Sequence, residues 1–216
     1  MLSRFYGCFK IQAGVSTFRF LVMNNVFKCC GAELIETWDL KGSLIGRAAS
    51  EREKQSGSAI LKDLDFLERG KQFLMEDDFR LGFCLQMTQD VKFLEKMKVM
   101  DYSMLVGVLP VTSIGTRARD PEYASFLQSY HGGLLAQTKE GKPQQEVYFF
   151  GIIDFLQRYT WQKNLETAVK SIPYEKDKIS AVNPREYANR FLRFMLNAVQ
   201  DPSERSVTAI PHSHVA

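Results

Sequence analysis

Apolar and aromatic segments interrupted by glycines fill the first forty positions, a pattern that predicts β-strands. The predicted strands are Phe5 to Ile11, Phe18 to Met23 and Leu34 to Trp38. Further along, Met104 to Leu109 and Val147 to Ile153 are short continuous apolar runs, which predict two buried strands. At least five strands are therefore expected.

Periodic apolar positions predict two helices. The first covers Asp77 to Lys98, and core packing is the expected role of its apolar face: Phe83, Met87, Val91, Leu94 and Met97. The second begins at Asn183, with Pro184 in the first position and Glu186 placed for a capping box. Its apolar face consists of Tyr187, Phe191, Phe194, Met195 and Ala198.

Polar segments connect and follow these elements. Residues 50–61 are expected to form a surface linker or a short helix, and 110–146 a long surface insertion. Residues 201–216 carry no periodicity and are expected to be a flexible tail. One domain over residues 1–200 is therefore predicted.

The composition is that of an ordinary globular chain, with 216 residues, 45% of them hydrophobic and 25% charged. This hydrophobic content excludes disorder as the dominant state. The net charge of +3 is too small for a dense basic surface, so no nucleic-acid partner is expected. Four cysteines lack zinc-site spacing and are expected to be reduced thiols of a cytosolic protein: Cys8, Cys29, Cys30 and Cys84.

Two aspartates stand at the ends of the two buried strands. Asp101 precedes the first strand and Asp154 follows the second. If the strands pair antiparallel, both carboxylates lie at one edge of the sheet, on strands about 5 Å apart. Such a pair suits Mg²⁺ together with phosphate oxygens, and kinases divide the work between two aspartates in this way. The alternative is that both simply form turns.

Basic residues beside a glycine provide a third element. Gly42 allows a close approach of the backbone to a ligand, and Lys41 and Arg47 could hold phosphate oxygens. Taken alone, the pattern is more typical of a solvated basic surface.

Five motifs in order resemble those of the phosphatidylinositol phosphate kinases. They are WDLKGS (38–43), LKDLDF (61–66), MDYSMLVG (100–107), GIIDFLQ (151–157) and ISAVNPREYANRF (179–191). The similarity runs from about residue 2 to residue 200. It implies an α+β fold: a kinase-like C-terminal lobe with antiparallel strands packed on helices, and an N-terminal lobe that is largely missing.

The resemblance implies a role for each matching position. Asp101 resembles the aspartate that orients the inositol hydroxyl, and Asp154 the aspartate that binds magnesium. The substrate's phosphates would be positioned by Asp39, Lys41 and Arg47. The adenine of ATP would lie against the hinge backbone of Met23, Asn24 and Asn25. ATP and Mg²⁺ are therefore the implied cofactors.

Residues 155–183 resemble the activation loop, which in this family meets the membrane and selects the lipid. Lys163 to Glu166 is similar to the K-x-L-E of the type I enzymes, which phosphorylate the 5-hydroxyl of phosphatidylinositol 4-phosphate. Type II enzymes carry alanine in place of Glu166. The resemblance therefore implies a 5-kinase and a peripheral location on anionic membranes, with the inner face of the plasma membrane as one site.

The same loop has an amphipathic pattern of its own. Trp161, Leu165, Val169 and Ile172 share one helical face, and bases such as Lys163 and Lys170 leave a local excess of positive charge. An anionic bilayer surface would attract such a segment. A helix that packs on its own domain would show the same pattern.

A glycine-rich loop and an upstream lysine, which would hold the ATP phosphates, are not found before residue 23. We therefore expect a fragment or truncated form of a lipid kinase, with negligible activity on its own. A catalytically incomplete phosphoinositide-binding or scaffold module of the same fold is the alternative.

Overall fold

The computed structural model describes residues 1–27, 33–57, 59–75, 77–110, 133–135, 146–156 and 183–200. Strands in this part of the chain are β1 (Phe5–Ala13), β2 (Ser16–Met23), β3 (Glu36–Leu40), β4 (Ile60–Leu61), β5 (Phe73–Leu74), β6 (Ser103–Pro110), β7 (Gly133–Leu135), β8 (Glu146–Ile153) and β9 (Val199–Gln200). Helices are α1 (Glu51–Gln55), α2 (Asp63–Glu68), α3 (Asp77–Lys96) and α4 (Pro184–Ala198).

A five-stranded sheet in the order β4-β3-β6-β8-β7 forms the centre of the structure. Its neighbours pair antiparallel except for the short parallel contact of β3 with β4. Side chains of the sheet and of α2, α3 and α4 share one buried core, which includes Trp38, Met87, Tyr102 and Phe191. The predicted α+β fold, with antiparallel strands packed on helices, is confirmed.

Helix α4 begins as its sequence predicts, at an Asn cap followed by proline. The Asn183 side chain accepts a hydrogen bond from the Glu186 backbone N–H at 2.9 Å. Tyr187, Phe191 and Met195 are buried on one face of the helix. The 3.6-residue period therefore identified the face that packs on the sheet.

Helix α3 ends two residues earlier than predicted. Lys98 adopts a left-handed backbone with φ of 54°, so the chain turns away after Lys96. Met97 lies beyond the last turn and is 38% exposed, whereas Phe83, Met87, Val91 and Leu94 are buried as expected.

The segment predicted as a surface insertion between 110 and 146 contributes a strand to the sheet. Within it, β7 pairs antiparallel with β8, and Leu134 lies opposite Tyr148. The stretch at 50–61 contains both the short helix α1, capped by Ser50, and the strand β4. Three-residue and two-residue strands are too short to show a hydrophobic period, which is why the sequence did not reveal them.

Strands β1 and β2 form a separate antiparallel hairpin with one apolar face and one face of mixed character. Phe9 lies opposite Phe20 and Ile11 opposite Phe18, while Lys10 opposite Arg19 occupies the other face. The three phenylalanines are 42–58% exposed.

Among the helices in the described ranges, none has the length and apolar character that crossing a bilayer requires.

Candidate functional site

Three strand ends meet at one edge of the central sheet. Because β6 runs antiparallel to both neighbours, its start lies beside the ends of β3 and β8: Met104 pairs with Leu40, and Ser103 pairs with Ile153. Lys41, Asp101 and Asp154 therefore leave three adjacent strands at the same edge, with strands about 5 Å apart. The predicted convergence of Asp101 and Asp154 is confirmed at the level of the backbone.

Both aspartates have a left-handed backbone. The φ angle is 66° at Asp101 and 61° at Asp154, and among the described non-glycine residues only Lys98 shares this conformation. The left-handed region is unfavourable for residues with a Cβ atom, although aspartate enters it more readily than most. Such conformations cluster at functional sites, so their coincidence here supports a functional edge.

Lys41 holds Asp101 through two hydrogen bonds. Its Nζ donates to the Asp101 carbonyl oxygen at 2.7 Å and to Oδ1 of the same residue at 2.9 Å. The lysine side chain is 15% exposed and the aspartate side chain 50%. One carboxylate oxygen is therefore fixed by the lysine while the residue still faces solvent.

Arg47 is engaged by two carboxylates of its own chain. Its Nε donates to Asp63 Oδ2 at 2.8 Å, and its Nη2 donates to the carbonyl and Oδ1 of Asp39. Burial by itself would lower the pKa of Arg47, but the hydrogen bonds to Asp63 and Asp39 outweigh it and leave the pKa raised. The guanidinium is thus permanently charged, with one edge already bound inside the fold.

Asp63 and Asp65 organise the loop that carries Lys41, a role that was not predicted from the sequence. Asp63 is fully buried, and its Oδ1 accepts from the backbone N–H groups of Lys41, Gly42 and Ser43 at 2.9, 2.6 and 3.3 Å. Asp65 accepts from the Ala49 N–H at 2.8 Å. The two acids of the LKDLDF motif therefore fasten the 41–49 loop at both ends.

The segment predicted as the hinge, Met23 to Asn25, begins at the last residue of β2. The backbone N–H of Asn24 donates to the Arg4 carbonyl, and the Asn25 side chain accepts from the Phe27 N–H. Beyond it, Val26 lies over Gly151 so closely that a Cβ there would come within 2.6 Å of a valine methyl. Because Gly151 has no side chain, the residue that follows the predicted hinge segment can pack directly on the sheet.

Comparison with known proteins identifies the family. A family model described as phosphatidylinositol-4-phosphate 5-kinase matches residues 1–125 and 115–198. The chain belongs to this family of lipid kinases.

Similar relatives in the family include both 4-kinases and 5-kinases. The chain is 29% identical over 243 residues to human phosphatidylinositol 5-phosphate 4-kinase type-2 gamma, covering 91% of this chain and 56% of the relative. It is 33% identical over 230 residues to chicken phosphatidylinositol 4-phosphate 5-kinase type-1 beta, covering 90% and 42%. Human phosphatidylinositol 4-phosphate 5-kinase type-1 alpha is 31% identical over 231 residues, covering 92% and 41%. The chain spans about half the length of these relatives.

Several positions assigned from the family resemblance lie outside the described residues. They are Trp161, Lys163, Leu165, Glu166 and Lys170. The assignments of the activation loop and of the tail at 201–216 therefore remain predictions.

The edge is chemically suited to a magnesium ion carried by a nucleotide. Within the described ranges no three His, Cys, Asp or Glu side chains form a metal cage. Mg²⁺ needs no such cage, because one or two carboxylates plus phosphate oxygens and water complete its shell. Asp154 is exposed at the end of β8, so its carboxylate could serve as the protein ligand.

A substitution at Gly42 tests directly whether the 41–49 loop packs against α4. It has φ of 68°, and a Cβ would lie 3.0 Å from the Arg190 carbonyl oxygen and 3.2 Å from the Phe191 Cα, both backbone atoms of α4. We expect Gly42→Ala to lower the free energy of unfolding by about 3 kcal/mol, from left-handed strain plus overpacking. Urea unfolding would measure it.

Gly46→Ala is the matched control, because Gly46 also has a left-handed φ (62°) but nothing lies within 4 Å of its Cβ position. That variant should lose only about 1 kcal/mol. Equal losses in the two variants would show that the loop does not pack against α4 as described.

Proposed function

We propose that the chain is the catalytic part of a lipid kinase that transfers the γ-phosphoryl group of ATP to the 5-hydroxyl of phosphatidylinositol 4-phosphate. The observation that carries the proposal is the convergence of Lys41, Asp101 and Asp154 on three adjacent strands. Phosphoryl transfer depends almost entirely on positioning and charge stabilisation, and this edge supplies groups for both.

Asp101 would orient the inositol hydroxyl and accept its proton as the bond to phosphorus forms. Lys41 binds Oδ1 of Asp101, which leaves Oδ2 as the oxygen that faces the hydroxyl. The second lysine bond, to the Asp101 carbonyl, fixes the backbone as well as the carboxylate. In this proposal Lys41 therefore has two roles. It helps to position the phosphates of the substrate, and it fixes Asp101, which orients the inositol hydroxyl.

Asp154 would hold Mg²⁺. When bound, the ion neutralises charge on the ATP phosphates. The exposed position of Asp154 at the end of β8 allows it to reach a nucleotide that lies over the sheet edge. Met23, Asn24 and Asn25 would contact the adenine through their backbone.

Asp39 and Arg47 would position the phosphate of the lipid head group. Arg47 uses Nε and Nη2 for Asp63 and Asp39, so only the remaining edge of its guanidinium is available for a phosphate oxygen. Asp39 contributes by keeping that guanidinium in place.

The choice of the 5-hydroxyl rests on Glu166 and its similarity to type I enzymes. The relatives include both 4-kinases and 5-kinases, at similar identities. The basic and apolar residues of 155–183 support binding to an anionic, cytoplasm-facing membrane surface, where each base near the surface adds about 1 kcal/mol. The substrate and the membrane would then be selected by one segment.

Product analysis tests the proposal. The full-length protein would be incubated with ATP, Mg²⁺ and vesicles that contain phosphatidylinositol 4-phosphate or phosphatidylinositol 5-phosphate. Conversion of the 4-phosphate alone to the 4,5-bisphosphate is expected. Conversion of the 5-phosphate alone would make the protein a 4-kinase, and no conversion of either lipid would contradict the proposal.

Glu166→Ala is expected to erode the preference for the 4-phosphate by about tenfold or more, as loss of one charged recognition group does. The ratio of kcat/KM on the two lipids measures this preference. Glu175→Ala removes the same charge from the same segment and should leave the ratio unchanged. An unchanged ratio in Glu166→Ala would remove the basis for the 5-kinase assignment.

A further inference from the structure

Helix α4 reaches the candidate active-site edge through one buried hydroxyl. The Tyr187 phenol, in the first turn of α4, donates a hydrogen bond to the backbone carbonyl of Tyr102. Tyr187 is 1% exposed, and Tyr102 is fully buried. Since Tyr102 follows Asp101 directly, this bond holds the Tyr102–Ser103 peptide, one residue beyond the left-handed aspartate.

Two successive carbonyls are therefore held by side chains from different elements. Lys41, after β3, donates to the carbonyl of Asp101, and Tyr187, on α4, donates to the carbonyl of Tyr102. A left-handed non-glycine residue persists only when its surroundings fix it, and these two bonds hold the two consecutive peptides that follow Asp101. Loss of one of them should let the backbone of Asp101 relax.

The surroundings of Tyr187 keep its hydroxyl in the donor state. Burial, followed by the nearby charge of Asp101, raises the pKa of Tyr187 above its usual range. The Arg190 guanidinium lies 5.0 Å from the centre of its ring. The phenol is therefore protonated at neutral pH and can donate this hydrogen bond.

The hydroxyl of Tyr102 provides a comparison for that of Tyr187, because the two side chains contact each other. Its ring meets that of Tyr187 edge-on, with centroids 4.8 Å apart. Its own hydroxyl is buried, and no partner for it lies in the described part of the chain. Two phenols of similar burial thus touch each other, and only that of Tyr187 reaches the backbone beside Asp101.

We propose that Tyr187 is a positioning residue for Asp101, acting through the carbonyl of Tyr102 to keep the carboxylate aimed at the hydroxyl of the substrate. The inference rests on the proposed lipid kinase function. A merely structural role would lower stability without a specific loss of turnover. A positioning role lowers kcat while the KM values for ATP and lipid change little, because Tyr187 touches neither substrate.

The experiment compares Tyr187→Phe with Tyr102→Phe in the full-length protein on phosphatidylinositol 4-phosphate vesicles. Tyr187→Phe should lower kcat about tenfold, the order of effect that one lost hydrogen bond produces, with KM values within about twofold of wild type. Tyr102→Phe should retain wild-type kcat. Equal kcat values in wild type and Tyr187→Phe, or equal losses in the two variants, would overturn the inference.

Amide hydrogen exchange provides a readout that needs no turnover. Tyr187→Phe should speed exchange at residues 101–103 while exchange in α3 stays unchanged, which also verifies that the variant is folded. Unchanged exchange at 101–103 would overturn the inference even if kcat fell. A wild-type protein that is inactive on every phosphoinositide would instead refute the proposed function, and exchange would still decide whether Tyr187 fixes the Asp101 backbone.

Discussion

Asp101→Asn and Asp154→Asn are each expected to lower the kcat of the full-length kinase by about 10³-fold. In the proposed mechanism, the first change removes the group that would orient the hydroxyl and accept its proton. The second removes the charge that would hold the metal beside the nucleotide. Both side chains are partly or largely exposed, so neither change should unfold the protein. Steady-state phosphorylation of phosphatidylinositol 4-phosphate measures the effect.

Asp78→Asn is the control for the loss of one acidic charge, because Asp78 is exposed on α3 and has no role in the site. Its kcat should equal that of wild type. If Asp101→Asn or Asp154→Asn kept most of the turnover, with circular dichroism and thermal midpoint intact, the edge of the sheet would not be the active site.

Asp63→Asn should produce the largest loss of stability, about 3 kcal/mol or more. The residue is fully buried and accepts from three backbone N–H groups and from Arg47 Nε. Asparagine retains the volume and one acceptor, but it leaves the arginine with a single carboxylate partner, Asp39. Breaking a buried ion pair in this way leaves the arginine charge only partly compensated, by Asp39.

Urea unfolding of Asp63→Asn beside Glu68→Gln would measure this loss. Glu68 lies at the other end of the same helix α2 and is exposed, so its neutralisation should change stability by less than about 0.5 kcal/mol. A loss in Asp63→Asn no greater than that of the control would mean that the 41–49 loop is not held by Asp63.

The sequence predicted the meeting of Asp101 and Asp154 because two apolar runs that pair antiparallel are sufficient to bring these residues to one edge. The position of Lys41 beside them was not predicted from its own pattern. It depends on β3 lying next to β6, a pairing of segments more than sixty residues apart that no local period encodes.

The buried acids of α2 illustrate a second limit. Asp63 and Asp65 look like ordinary residues of a helix start, where acids are common, and local composition does not distinguish a solvated acid from one that binds three backbone N–H groups. The only signal was the match of LKDLDF to a family motif. Tyr187 was predicted as part of a core face, and its hydroxyl contact emerged only from the packing of α4 on the sheet.

In the proposed mechanism, Asp101 orients the hydroxyl and Asp154 binds the metal. The most direct test measures the binding of Mn²⁺–ATP through the electron paramagnetic resonance signal of the manganese. The wild-type full-length protein, Asp101→Asn and Asp154→Asn would be titrated side by side without lipid. Asp154→Asn should bind Mn²⁺–ATP at least about tenfold more weakly, whereas Asp101→Asn should bind as wild type does. Wild-type affinity in Asp154→Asn, or an equal loss in Asp101→Asn, would contradict this division.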